Sequence, residues 1–142
     1  MNRLLAFFRK LSVIQRSIVS AVLGFAVYGG WGVLVNFMHG EDLALRAGLT
    51  QGSYSFVLTF FMTLLLESSY KRSDALFGGG RSAIAATVVF SCALVFTGSW
   101  LVNYVSGTPE IFKTVILGYV LGGAYSLIYT IGLAREHASS SR

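Results

Sequence analysis

The polar residues that could do chemistry in this sequence recur at four-residue intervals. One run starts at Ala47 and continues through Gln51, Ser55, Thr59, Thr63 and Glu67; a second comprises Gly118, Gly122, Ser126 and Thr130 and ends at Ala134. Ser20, Gly24, Tyr28, Gly32 and Asn36 form a third, and Thr87, Ser91, Val95, Ser99 and Asn103 a fourth. Such spacing keeps side chains on one face of a helix, so each run is a narrow small or polar stripe on an otherwise apolar segment. Two uses follow. In lipid, small residues let helices approach and hydroxyls or amides bond across the interface, at about 0.6 kcal/mol each; this is packing. Alternatively, the stripes form a polar track past which a headgroup or ion moves.

The remaining candidates are few. Glu67 is the one acid bordering an apolar segment, and Lys71 four residues on offers it an ordinary helical ion pair. An acid deep in a bilayer would instead be a functional candidate. Asn36 and Asn103 lie close to Trp31 and Trp100, a setting that suits either ligand contact or interfacial anchoring. His39 and His137 fall on opposite sides of the expected topology and cannot share a metal, while Glu41 and Asp42 lack a second acidic pair with which to form a hydrolytic site. Cys92 is the only cysteine and reads as a small apolar filler. Gly78, Gly79 and Gly80 lack the Gly-Lys-Ser/Thr ending of a phosphate-cradling loop, which favours a linker over a phosphate site. No catalytic residue, metal or cofactor is expected, and no enzyme.

The elements that must carry these residues are membrane-spanning helices. Of the 142 residues, 54% are hydrophobic and 12% charged, and the mean hydropathy is +0.67, whereas soluble domains carry roughly 25% charged residues. Four stretches, 17–38, 47–66, 82–108 and 114–134, have the roughly 20 residues that a helix needs to cross the hydrocarbon core. None alternates as a barrel strand would. The formal net charge of +5 does not point to nucleic acid once the charges are placed. Arg3, Arg9, Lys10, Arg16, Lys71, Arg72, Arg81, Arg135 and Arg142 share one side, leaving only Arg46 and Lys113 on the other. The positive-inside rule then puts both termini in the cytoplasm and the chain in the cytoplasmic (inner) membrane. The first span is too long for the core of a cleavable signal peptide and is expected to stay as an anchor.

Residues 1–15 place Leu4, Phe7, Phe8, Leu11 and Ile14 at helical spacing, as an amphipathic interfacial helix would, or as an extension of the first span. Short connections after residues 38 and 105 make two antiparallel hairpins, 16–72 and 82–135, joined by a Gly-rich cytoplasmic linker at 73–81 and followed by a disordered tail at 136–142. Thr108, Pro109 and Glu110 form a helix-start signal, with a capping hydroxyl, a proline at the first helical position and an acid near the positive end of the dipole.

The hairpins also repeat. Leu34-Val35-Asn36-Phe37 returns as Leu101-Val102-Asn103-Tyr104, and the segment from Gly52 to Thr59 returns from Gly123 to Thr130. Because each unit has two spans, the copies enter the membrane in the same direction, giving a parallel repeat. The expected fold class is all-α integral membrane, with four transmembrane helices in two tandem hairpins.

Four spans in a short chain, with short loops, Gln15-Arg16 before the first span and basic Lys71-Arg72 after the second, resemble the GtrA-like proteins. That resemblance implies a small membrane protein concerned with polyprenyl-phosphate-linked sugars; it carries over no residue roles, since Glu67-Ser68-Ser69-Tyr70 stands where the family's Asn-Arg-aromatic ending is expected. Small multidrug transporters are less similar, because they depend on a glutamate in the first helix, which here has no charge. The expected function is flippase-like transport of a lipid-linked or amphipathic substrate. The rival is an accessory subunit of a larger membrane enzyme or transporter, and a homo-oligomeric pore comes third. The expected partners are the bilayer and either further copies or a larger membrane protein.

Overall fold

The computed structural model describes residues 13–140. Its elements are α1 (Val13–Asn36), a short 3-10 turn (Phe37–His39), α2 (Glu41–Phe77), α3 (Gly80–Val105) and α4 (Ile111–Ser140). All four helices are long and apolar enough to cross a membrane, and there is no strand among the described residues. The chain is therefore a multi-pass helical membrane protein. Most of the expected interfacial helix at 1–15 lies outside the described residues; its last three positions, 13–15, belong to α1.

The bundle is apolar outside and polar within. Leu34, Leu64, Met38 and Ile128 are among the large apolar side chains left exposed, as lipid permits. The buried face of α3 is Ala83, Thr87, Ser91, Val95, Ser99 and Asn103, which reproduces the four-residue stripe. In α2, Ala47, Gln51 and Ser55 are buried, with Thr59, Thr63 and Glu67 half-buried. An apolar cluster forms around Met62, Leu66 and Val95, flanked by Leu58, Leu65 and Tyr129.

Glycines let α1 and α2 touch backbone to backbone. A Cβ added to Gly32 would lie 3.1 Å from Gly48 Cα, and one added to Gly48 would lie 2.8 Å from Gly29 O and collide with Val33. No larger residue fits there, and close approach of this kind is how helices associate where lipid removes the hydrophobic gain.

Two connections differ from expectation. Residues 73–77, expected in the linker, continue α2 instead, so the helix runs 37 residues, about 55 Å and well beyond a hydrocarbon core of about 30 Å. Its extension packs: Tyr70 is buried against His137 of α4, with ring centroids 5.3 Å apart. The linker shrinks to the glycine triplet, whose φ values of 71°, 82° and 67° are unfavourable for other residues; Gly78 ends α2 by donating to Asp74 O. At the other end of the bundle, α4 starts at Ile111 rather than Pro109, because Thr108 donates its hydroxyl to Asn103 Oδ1 (2.9 Å) instead of capping. The expected tail is helical as far as Ser140.

Candidate functional site

Amides from two helices close the short-loop end of the bundle, the end holding residues 37–40 and 106–110. Asn36, at the last residue of α1, donates to Gly32 O and to Thr114 Oγ1 of α4 (both 2.8 Å). Its Oδ1 accepts the Glu110 N–H (2.9 Å). Asn103 does the equivalent on α3: it donates to Ser99 O four residues back and to Gln51 Oε1 of α2, while its own oxygen accepts from Thr108. Trp31 Nε1 adds a bond to Lys113 O (2.7 Å), and Arg46 Nη2 reaches Gly107 O (3.3 Å). Both asparagines are fully buried with their side-chain oxygens and nitrogens bonded, which makes them structural in this conformation.

Beneath this plug lies a cavity of about 420 Å3 that all four helices line. Gln51, Ser55, Thr59 and Thr63 of α2 run down one wall, Gly118 and Gly122 of α4 stand opposite, and Ser20, Gly24 and Tyr28 of α1 and Ser99 of α3 complete it. Ser20 of α1 and Leu121 and Tyr125 of α4 line it while exposed at the surface, so the cavity opens sideways between α1 and α4. At the short-loop end that helix pair is tied by the side-chain bonds of Asn36 and Trp31. Toward the basic end, which carries Lys71, Arg72, Arg81 and Arg135, a Cβ added to Gly122 or Gly132 would meet nothing within 4 Å.

The polar groups of the cavity are uncharged. No acid or base lines it among the described residues. Gln51, 2% exposed, has its Oε1 occupied by Ser99 Oγ (3.0 Å) and Asn103 Nδ2 (2.6 Å). That arrangement fixes the amide orientation and leaves the NH2 group, with two donor hydrogens, facing Gly118 and the cavity. Tyrosines 28, 54, 119 and 125 and Phe96 add aromatic surface. Tyr54 gives its hydroxyl to Val95 O (3.0 Å), and Phe96 stacks edge-on against Tyr119, with centroids 5.4 Å apart.

The other sequence candidates divide. Ser126 and Thr130 are buried away from the cavity, Ser126 donating to Gly122 O (2.8 Å) and Thr130 having no hydrogen-bond partner. Glu67 lies below the cavity and accepts the Tyr129 hydroxyl (3.0 Å), so its partner is an α4 phenol rather than Lys71. Ser20 and Tyr28 lie on the α1 stripe, whereas Ser17, Tyr54, Tyr119 and Tyr125 line the cavity without being marked by a stripe; their signal in the sequence is polar or aromatic character inside apolar spans, one position off the stripes. No group of three metal-ligating side chains occurs among the described residues.

Outside the membrane-spanning helices, Glu110 sits between Lys113 Nζ (3.2 Å) and His39 Nε2 (3.4 Å). Hydrogen bonds from Lys113 and then His39 hold its carboxyl below the usual carboxylate range.

The chain matches no family model, no curated protein and no solved structure. The functional reading therefore rests on the cavity itself.

Proposed function

We propose that the protein is a small flippase-like carrier that admits the uncharged polar head of an amphipathic, lipid-linked molecule through the opening between α1 and α4, its apolar tail remaining in the bilayer. The observation that carries this reading is the Gln51 amide, held by Ser99 and Asn103 so that its donors face a cavity inside the apolar part of the bundle. Those donors face the cavity, and a hydroxyl-bearing or carbonyl-bearing head supplies an acceptor for them. With no charge among the lining residues, an ionic head would go uncompensated. Uncharged hydroxyls and amides beside aromatic faces suit a sugar. In this reading the two hairpins form a parallel repeat, the basic end faces the cytoplasm, and no bond is made or broken.

A cavity of about 420 Å3 lies at the small end of ligand sites and holds a head, not a whole lipid. That volume favours completion of the path by a second copy or a larger membrane protein, and it keeps the accessory-subunit reading as the alternative.

The test is translocation of fluorescent lipids in proteoliposomes, comparing a neutral glycolipid with phosphatidylcholine. Gly122→Trp places a ring in the open space of the cavity. The carrier reading expects glycolipid movement that falls at least tenfold in this variant. Equal movement in correctly folded wild type and variant defeats it, and co-purification with one defined membrane protein then favours the accessory role.

A further inference from the structure

A second recess lies between α3 and α4 at the basic end. It is a trough of about 630 Å3 with Arg81 and Arg135 among its lining residues and apolar side chains, including Ala85, Val88, Leu127 and Ile131, making up the rest. The helices run antiparallel, so Arg81, near the start of α3, and Arg135, near the end of α4, come to the same end. Eight positions separate Arg81 from Val89 on one wall and Leu127 from Arg135 on the other, which gives the trough a length of about 12 Å along the helices. The lining residues fall on single faces, at 81, 84, 85 and 88 on α3 and at 127, 131 and 135 on α4.

Neither guanidinium has a hydrogen-bond or carboxylate partner among the described residues. At the short-loop end, by contrast, Arg46 bonds Gly107 O and Lys113 pairs with Glu110. Two unpaired forks beside an apolar trough, at the depth where a helix leaves the hydrocarbon, offer bidentate donors to a phosphate. Basic pockets between membrane helices recruit anionic headgroups in this way. We infer that the trough binds one anionic phospholipid, its phosphate between Arg81 and Arg135 and an acyl chain lying along Val88, Leu127 and Ile131. A phospholipid supplies charge and chain in the order in which the trough presents arginines and apolar wall. This site is separate from the four-helix cavity and does not depend on what the cavity carries.

The experiment is native mass spectrometry of the whole chain in neutral detergent, titrated with phosphatidylglycerol or with phosphatidylcholine of the same chains. Wild type is expected to retain one phosphatidylglycerol at least tenfold more readily than phosphatidylcholine. Arg81→Gln with Arg135→Gln removes that preference. Ala85→Trp, at an exposed position, fills the trough with both charges kept and removes it as well. Lys71→Gln with Arg72→Gln, which alters charge at the same end but outside the trough, leaves it intact. Preference that survives the arginine pair change, or that falls equally with the Lys71 and Arg72 change, overturns the site in favour of diffuse surface charge. A wild-type dimer that Ala85→Trp dissociates, with no lipid retained, overturns it in favour of a contact between copies.

Discussion

Asn103 donates to Gln51 Oε1 across 2.6 Å, joining α3 to α2 and fixing which way the Gln51 amide faces. The same Asn103 side chain also bonds Ser99 O and accepts from Thr108, so one buried amide ties together two helices and the turn before α4. Asn103→Ala removes all of these at once. It leaves the Thr108 hydroxyl without its acceptor and Gln51 Oε1 with one donor instead of two. Losing a buried partner costs about 1–3 kcal/mol, more than the average of about 0.6 kcal/mol for a cross-helix bond in a membrane protein. Unfolding in mixed micelles should show a loss in that upper range, and a double-mutant cycle with Gln51→Leu should show coupling between the two residues. Additive losses would mean that the bond contributes nothing of its own.

The α1–α2 contact and the cavity give opposite expectations for the same kind of change. Gly48→Val drives branched atoms into Val33 and the Gly29 carbonyl, and overpacking of this sort costs about 1–3 kcal/mol. Gly122→Ala adds a methyl where nothing lies within 4 Å and should leave stability within about 0.5 kcal/mol of wild type. Thermal unfolding of the pair in one detergent compares them directly.

Acid should loosen the short-loop end. The carboxyl of Glu110 is held below its ordinary value by hydrogen bonds from Lys113 and His39, so the unfolded chain takes up this proton before the folded one does. The contribution is therefore complete above the ordinary carboxylate range, and it disappears as pH falls through the depressed folded value. Glu110→Gln removes that dependence. Hydrogen exchange at residues 106–114 across the acid range should rise in wild type and stay flatter in the variant; parallel curves would show that the contact has no role in holding the turn.

Much of this arrangement is legible in the sequence, because four-residue spacing is a property of one helix. The buried face of α3 follows from counting alone, and so does the alignment of Gln51, Ser55, Thr59 and Thr63 along one wall of the cavity. What counting misses depends on how helices meet. Nothing local says that Tyr129 faces Glu67, that Thr108 turns back to Asn103, or that Asn36 takes up the Glu110 N–H. Those pairings are fixed by tilt and register between helices. The reach of α2 to Phe77 was hidden for another reason: hydropathy marks where a helix is in lipid, and the polar segment after Leu66 stays helical after its apolar run ends.

Two polar stripes that look alike in sequence separate in their expected effects. Ser55 and Thr59 line the cavity, whereas Ser126 and Thr130 do not. Thr130 Oγ1 is buried without a partner, as is Ser91 Oγ on α3. A hydroxyl desolvated and unbonded is a cost that its apolar isostere avoids, so Thr130→Val should be neutral or stabilising by up to about 1 kcal/mol and should leave lipid translocation unchanged. Ser55→Ala with Thr59→Ala removes two hydroxyls from the wall that carries Gln51, and should lower translocation of a neutral glycolipid several-fold with little effect on unfolding. If the Thr130 change and the Ser55 and Thr59 change act on transport alike, the stripes serve packing throughout and the cavity is not the path. If only the Ser55 and Thr59 change acts, the position of a hydroxyl relative to the Gln51 amide, rather than its presence in a helix, determines its role.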